Sequence, residues 1–177
     1  MQDEKRVSRP GDSPTLGPIP NTTIRYATPN DAEAIASLLF ESFVEYESLY
    51  TPEGFAATAI TCEQIVARMS EGPVWVAIHE EGIVGTVSVV AKAESLYIRG
   101  MAVLPSARGT RIGALLLSHI EEFARGEGFS RLFLSTTPFL DRAIRLYERF
   151  GFQRTSDEPR ELFGTPLFTM EKPLNIE

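Results

Sequence analysis

Residues 103–114 read Val-Leu-Pro-Ser-Ala-Arg-Gly-Thr-Arg-Ile-Gly-Ala. An apolar run from Leu96 to Leu104 stops at Pro105, and an amphipathic stretch starts at Arg111. In that stretch Ile112, Leu115, Leu116, His119, Ile120 and Phe123 fall on one helical stripe, and Gly126 and Gly128 end it. The segment therefore predicts a strand, a short loop and a long helix over Arg111 to Arg125. A chain containing that unit must lay a helix on a sheet, so all-helical and all-β folds are excluded. The first amides of a helix have no intrahelical partner and sit at its positive end, which suits an anion. Gly109 and Gly113 let a phosphate approach the backbone, and Arg108 and Arg111 add charge. A plain turn with two solvated arginines accounts for the same residues equally well. The segment is not a Walker A loop, and its glycine spacing is not that of a dinucleotide-binding fingerprint.

The rest of the chain alternates in type. Thr22 to Tyr26 is β-prone, and Pro29-Asn30-Asp31 offers helix-start chemistry, with Asn30 or Asp31 as cap. Ile35, Leu38, Leu39, Ser42 and Phe43 follow at helical spacing, and a second helix is expected over Cys62 to Met69. Glu45 to Ile60 shows weak periodicity. Val74 to Ile78 and Ile83 to Ala91 flank His79-Glu80-Glu81-Gly82 and read as a hairpin. Arg131 to Ser135 reads as a strand and Asp141 to Phe150 as a helix. Gly151 to Thr155 and Leu167 to Glu171 read as closing strands. Two hairpins interrupt the alternation, so the expected class is mixed α/β (α+β) with helices on both faces of the sheet, not a doubly wound parallel sheet. Residues 1–21, with four prolines and balanced charge, read as a disordered tail before one domain over 22–177.

Composition narrows the functions. Among 177 residues, 17 Lys and Arg stand against 24 Asp and Glu, a formal charge of −7. That balance argues against a nucleic-acid partner, which needs a basic face. One cysteine, Cys62, excludes an internal disulfide, and two histidines make a metal centre unexpected. No apolar run reaches the roughly 18–20 residues that span a bilayer, and no secretory leader is visible, so no membrane is expected and the cytoplasm is the default compartment.

Two segments carry a family resemblance. Residues 103–114 look like motif A of the GNAT acyltransferase superfamily, with Arg108, Gly109, Ile112 and Gly113 matching and Arg111 in place of the usual middle glycine. Ala143, Tyr147, Gly151 and Phe152 resemble its motif B, the pattern Ala-x-x-x-Tyr-x-x-x-Gly-Phe. Thr28 to Asp31 and Gly85 to Val87 also sit where the family has similar residues. The resemblance covers about residues 22–173. It implies a GNAT fold, with a mostly antiparallel mixed sheet of six to seven strands flanked by about four helices. The fourth and fifth strands would splay and admit the pantetheine arm of acetyl-CoA as an added strand. Backbone groups around Met101, Ala102 and Val103 would pair with that arm. The pyrophosphate would rest on the amides of Arg108, Gly109, Thr110, Arg111, Ile112, Gly113 and Ala114. Leu140 stands where the family often has an asparagine that contacts the coenzyme.

The activity implied is acetyl-CoA-dependent N-acetyltransfer to an amine on a small molecule or a protein, with no metal, by a monomer or homodimer. The alternative is a non-catalytic acyl-CoA-binding regulatory module on the same fold. Tyr147 matches the family tyrosine that protonates the departing thiolate. Glu94 is a candidate general base, because Tyr97, Arg99 and Met101 alternate along the strand that follows it. A core histidine is expected at 119 and a solvated one at 79. The acceptor pocket is expected from Glu41 to Thr61 and from Ser156 to Pro166. Glu45 and Tyr46, with Tyr97 and Arg99, would form its wall, and the acidic and aromatic mix suits a cationic amine.

Overall fold

The computed structural model describes Gly17 and residues 19–174. The segment read as a tail lies almost wholly outside the described residues. Its end is attached to the domain: Ile19 packs against the core, and the Asn21 carbonyl accepts from Glu80 N–H at 3.2 Å.

The elements are β1 (Thr22–Tyr26), α1 (Ala32–Phe43), α2 (Pro52–Thr58), α3 (Cys62–Met69), β2 (Val74–His79), β3 (Gly82–Lys92), β4 (Ser95–Val103), α4 (Ile112–Gly126), β5 (Arg131–Thr136), α5 (Asp141–Arg149), β6 (Gln153–Arg154), β7 (Arg160–Leu162) and β8 (Thr165–Pro173). Eight strands form one sheet in the order β1-β2-β3-β4-β5-β8-β6, with β7 also paired to β8. All pairings are antiparallel except β4 with β5. The sheet thus has one strand, and the molecule one helix, more than the resemblance suggested. β7 has three residues and α2 has seven, too few to show a period.

Two apolar clusters lie on opposite faces. Trp75, Val87, Leu96 and Ile98 pack with Leu116 and Ile120 of α4 and Tyr147 of α5. Val74, Val76 and Ala102 pack with Ile35, Leu38 and Leu39 of α1 and Ile65 of α3. β2 is buried on both faces, which explains its unbroken apolar run. His119 is packed as expected, edge-on to Trp75 at 5.1 Å between ring centroids, and burial lowers its pKa. His79 is half-buried rather than solvated, because its Nδ1 and Thr22 Oγ1 lie 2.8 Å apart. The turn before α1 is capped by Asp31, whose carboxylate accepts from Thr28 N–H at 2.7 Å and from both terminal nitrogens of Arg25 at 2.8 and 2.9 Å.

One irregularity decides the site. Thr86 pairs with Ala102, but Ser88 pairs with Arg99, so β4 carries one extra residue between them. Gly100 sits there with φ +58°, a left-handed conformation that glycine adopts without strain. A side-chain period of two then changes phase. Before the bulge, Leu96 and Ile98 face α4 and α5; after it, Met101 and Val103 do. Tyr97 and Arg99 consequently face away from Met101, not with it.

Candidate active site

β4 and β5 are hydrogen-bonded partners only from Ser95/Arg131 to Ile98/Leu134. Beyond that point they separate, and the bulge at Gly100 marks the divergence. A cavity of about 1,040 Å³ passes through the gap. On one side it meets the start of α4 and the length of α5. On the other it meets Phe43, Tyr46 and Tyr50, Thr58 of α2 and Arg68 of α3.

The α4 end is built from backbone. Arg108 N–H donates to the Pro105 carbonyl at 3.3 Å, and the first helical bond runs from Leu115 N–H to the Arg111 carbonyl at 2.9 Å. The six amides between, Gly109 to Ala114, donate to nothing among the described residues. Arg111 precedes the helix with φ +65°, and Gly109 has φ +78°. A Cβ at Gly113 would lie 2.8 Å from Leu146 Cδ2, so a side chain there would require the tip of Leu146 to move. The sequence placed Arg108 among the amide donors and the phosphate cations; the structure corrects both. Its amide is used, and its guanidinium pairs with Glu45 and donates to the Ser42 carbonyl at 3.2 Å. Thr110 Oγ1 is likewise turned back onto the Ala107 carbonyl. Ile112 contributes only backbone, since its side chain is buried in the core.

Tyr147 is 8% exposed and lines the cavity from α5. Its ring packs against Phe152 at 5.9 Å. Burial, with a smaller contribution from nearby Tyr50, pushes its phenol pKa up to about 12. It is therefore a proton donor at any ordinary pH, and the packed and cleft-facing roles coexist in one side chain. Tyr50, also 8% exposed, is held edge-on to Phe139 at 4.9 Å. Burial raises its pKa too, and the nearby hydroxyls of Thr137 and Thr58 oppose that rise. Thr137 Oγ1 nevertheless stands outside hydrogen-bond geometry with any group and is fully buried at the cavity wall.

Glu94 is not in the site. It sits exposed in the β3–β4 turn, where its carbonyl accepts from Ser130 N–H at 2.9 Å. Seven residues of extended strand separate it from Met101, about 20 Å, too far for a base or a one-water relay. Glu45 is also misplaced: it is exposed, neutralised by Arg108, and does not line the cavity. Tyr46 does line it, stacked on Phe139 at 6.3 Å. Tyr97 lines it too, stacked on Phe133 at 5.0 Å. Arg99 lines it and pairs with Glu71 at 2.5 Å. Leu140 is on the wall and brings no polar contact.

The charged lining is one-signed. Arg68, Arg99, Arg108 and Arg111 contribute, as do Arg142, Arg145 and Arg149 of α5; among the described residues no Asp, Glu, His or Lys does. In a chain of net charge −7 this is a local inversion, and it removes the basis for a cationic acceptor. Tyr50 falls within the segment expected to form the acceptor pocket, whereas sequence reasoning missed Arg68, Thr137 and the α5 arginines. Each follows a periodicity that a solvated helix face or a core strand would show equally, so no local signal marked them.

Comparison with known proteins agrees with this geometry. The family described as acetyltransferase (GNAT) matches residues 33–152. The uncharacterized N-acetyltransferase YjgM of Escherichia coli (strain K12) is 29% identical over 136 residues, 73% of this chain and 81% of its own. Streptothricin acetyltransferase of Streptomyces lavendulae is 29% identical over 150 residues, covering 72% and 79%. The PaiA N-acetyltransferase of Thermoplasma acidophilum, solved in complex with coenzyme A, superposes with a TM-score of 0.75 at 18% identity, over 86% of this chain and 99% of that one. YncA of Salmonella typhimurium, solved with acetyl-CoA, gives a TM-score of 0.67 at 22% identity, over 89% and 96%. The splayed strands, the free amides at the start of α4 and the tyrosine of α5 all lie within the matched residues, and by that match the chain belongs to the acetyltransferase (GNAT) family.

Proposed function

We propose that this protein is an acetyl-CoA-dependent N-acetyltransferase that passes the acetyl group directly from the thioester to an amine. The observation that carries the reading is the cavity that threads the sheet, with free amides at one mouth and a protonated phenol on its wall. The residues present suit the coenzyme. Gly109 to Ala114 supply unsatisfied donors at a helix start for a pyrophosphate. Arg111 supplies charge beside them, and the α5 arginines extend that charge along the wall. The strand edge of Met101 to Val103, unpaired with β5, supports an extended amide-bearing arm.

In the reaction the amine nitrogen forms a bond to the acetyl carbon, the carbon–sulfur bond breaks, and the thiolate takes a proton from Tyr147. The amine must first lose its own proton, against a solution pKa near ~10.4. Among the described residues no carboxylate or histidine lines the cavity to take it. The arginine lining does part of that work, because nearby positive charge disfavours the ammonium form. Water in the open cavity then carries the proton away. The acceptor proposed is a small molecule and the compartment proposed is the cytoplasm. Among the described residues no helix is long and apolar enough to cross a membrane.

The test is incubation with acetyl-CoA and an amine panel while following thiol release. Release that depends on the amine is the expected result. Tight coenzyme binding with no release for any amine supports instead the regulatory module, which the absence of a lining carboxylate or histidine favours.

A further inference from the structure

Arg68 and Arg99 stand apart from the other cavity arginines. The bulge at Gly100 turns Arg99 toward α3, while Met101 and the start of α4 lie on the opposite face. Arg68 comes from the last turn of α3, and its Nη1 lies 2.8 Å from the point a Cβ on Gly100 would occupy. The two guanidiniums therefore meet at the bulge, on the acceptor side of the splay, away from the amides that suit a pyrophosphate.

Their charge is not balanced. Glu71 is the carboxylate that faces them, and its side chain is about half exposed and bonded to Arg99 Nη2. Tyr97 is the remaining neighbour that acts on the charge of Arg68. Among the described residues Arg68 forms no hydrogen bond or ion pair. Burial and the proximity of Arg99 both lower its pKa, so the pair is held together against repulsion. Arg99 Nε is fully buried and has no acceptor among the described residues. Two guanidiniums against one carboxylate leave a net positive site, and both arginines line the cavity. Buried guanidinium donors are costly unless an oxyanion meets them. A planar carboxylate is the group whose two oxygens match the fork of a guanidinium.

Resting on the acetyltransferase reading of the cavity, we infer that Arg68 and Arg99 form an anion subsite, and that the acceptor is an amine that also carries a carboxylate, of the amino-acid type. The carboxylate anchors at the bulge, the amine points into the splay, and Tyr46 and Tyr50 bound the room left for the side chain.

The experiment uses the full chain with coenzyme A bound and a panel of amino acids. Each is paired with its carboxamide, and phosphoethanolamine is paired with ethanolamine. Binding is read by calorimetry, and turnover separately by thiol release with acetyl-CoA. At least one amino acid should bind about tenfold or more tightly than its carboxamide, since a site built for a hydrogen-bonding group rejects the analogue lacking it. Arg99→Gln and Arg68→Gln should each bring that ratio near one and leave coenzyme affinity unchanged, and Arg68→Lys should retain part of it. Equal binding of acids and carboxamides across the panel overturns the inference, as does a ratio indifferent to both Gln variants. A preference confined to phosphoethanolamine overturns the carboxylate in favour of a phosphate. Faster turnover with succinyl-CoA than acetyl-CoA, lost in Arg68→Gln, puts the carboxylate on the donor and also overturns it. Acid-selective binding without thiol release upholds the subsite and counts against the transferase reading alone.

Discussion

The two mouths of the cavity are made in different ways. The α4 mouth is a contiguous run of backbone, Gly109 to Ala114, whose donors exist because a helix begins there. The opposite mouth, the one proposed for the acceptor, is an assembly of side chains from α2, α3, β4 and the turn after α1, far apart in the chain. The first needs little more than the right conformation at a few positions. The second needs each element packed in its place and the β4 register shifted by one. A backbone site is robust to most side-chain changes and sensitive to Cβ atoms. A side-chain site is the reverse, and it is where relatives on one fold are free to differ.

The largest expected effect lies between the two mouths. Tyr147→Phe keeps the ring that packs on Phe152 but removes the proton, so kcat should fall by at least about tenfold with coenzyme affinity nearly unchanged. An unchanged rate would take Tyr147 out of the chemistry. Because its pKa is about 12, the wild-type kcat should rise with pH as the amine deprotonates and show no phenol-linked fall below about pH 11. A decline already at pH 9 would contradict that.

Gly113→Val should act on the α4 mouth alone. The new side chain meets Leu146, so Leu146 or the start of α4 must shift, at roughly 1–3 kcal/mol of overpacking. Coenzyme affinity measured by calorimetry should drop by about tenfold, and the acceptor preference should survive. Loss of both together would mean that the mouths are not separable.

Asp31→Asn probes the scaffold under the acceptor mouth. Arg25 bonded to Asp31, and the Thr28 amide, hold its carboxyl well below the usual carboxylate range. A group whose folded pKa is depressed stabilises above its unfolded pKa, near ~4, and that contribution disappears as pH falls further. The variant should lose about 1 kcal/mol at pH 7, and the gap from wild type should close below about pH 4. A gap that persists at low pH would assign the loss to packing instead.

The smallest effect is expected at Arg111, a non-glycine residue in the left-handed region, which costs roughly 1–2 kcal/mol. Arg111→Gly should raise the melting temperature by a few degrees and weaken coenzyme binding only severalfold, since the amides remain. A lower melting temperature would show that no strain is held there.

Much of the fold was legible, and for identifiable reasons. α4, α5 and the hairpin of β2 and β3 carry strong periodicity and turn residues, and they appear within about two residues of their expected limits. β7 and α2 were not legible, because neither is long enough to repeat a pattern. The α4 mouth was readable since it is local: helix start, glycines and arginine lie within a dozen residues. Its errors concern where a side chain turns, as with Arg108, which reaches across to Glu45. The general base at Glu94 failed because closeness in sequence along a strand is distance in space, about 3.3 Å for each residue.

Apart from the role of Tyr147, which rested on the family resemblance, the amino-acid sequence by itself determined the class of fold and the helix start that exposes six amides. These depend on period, turn chemistry and spacing, all local quantities. Tertiary structure decided the sign of charge in the cavity and the members of its acceptor wall. A single extra residue at Gly100 reverses which side chains share a face of β4, and pairing across elements decides which of the acidic residues reach the site. Neither can be read from composition, since a net charge of −7 encloses a cavity lined by arginine.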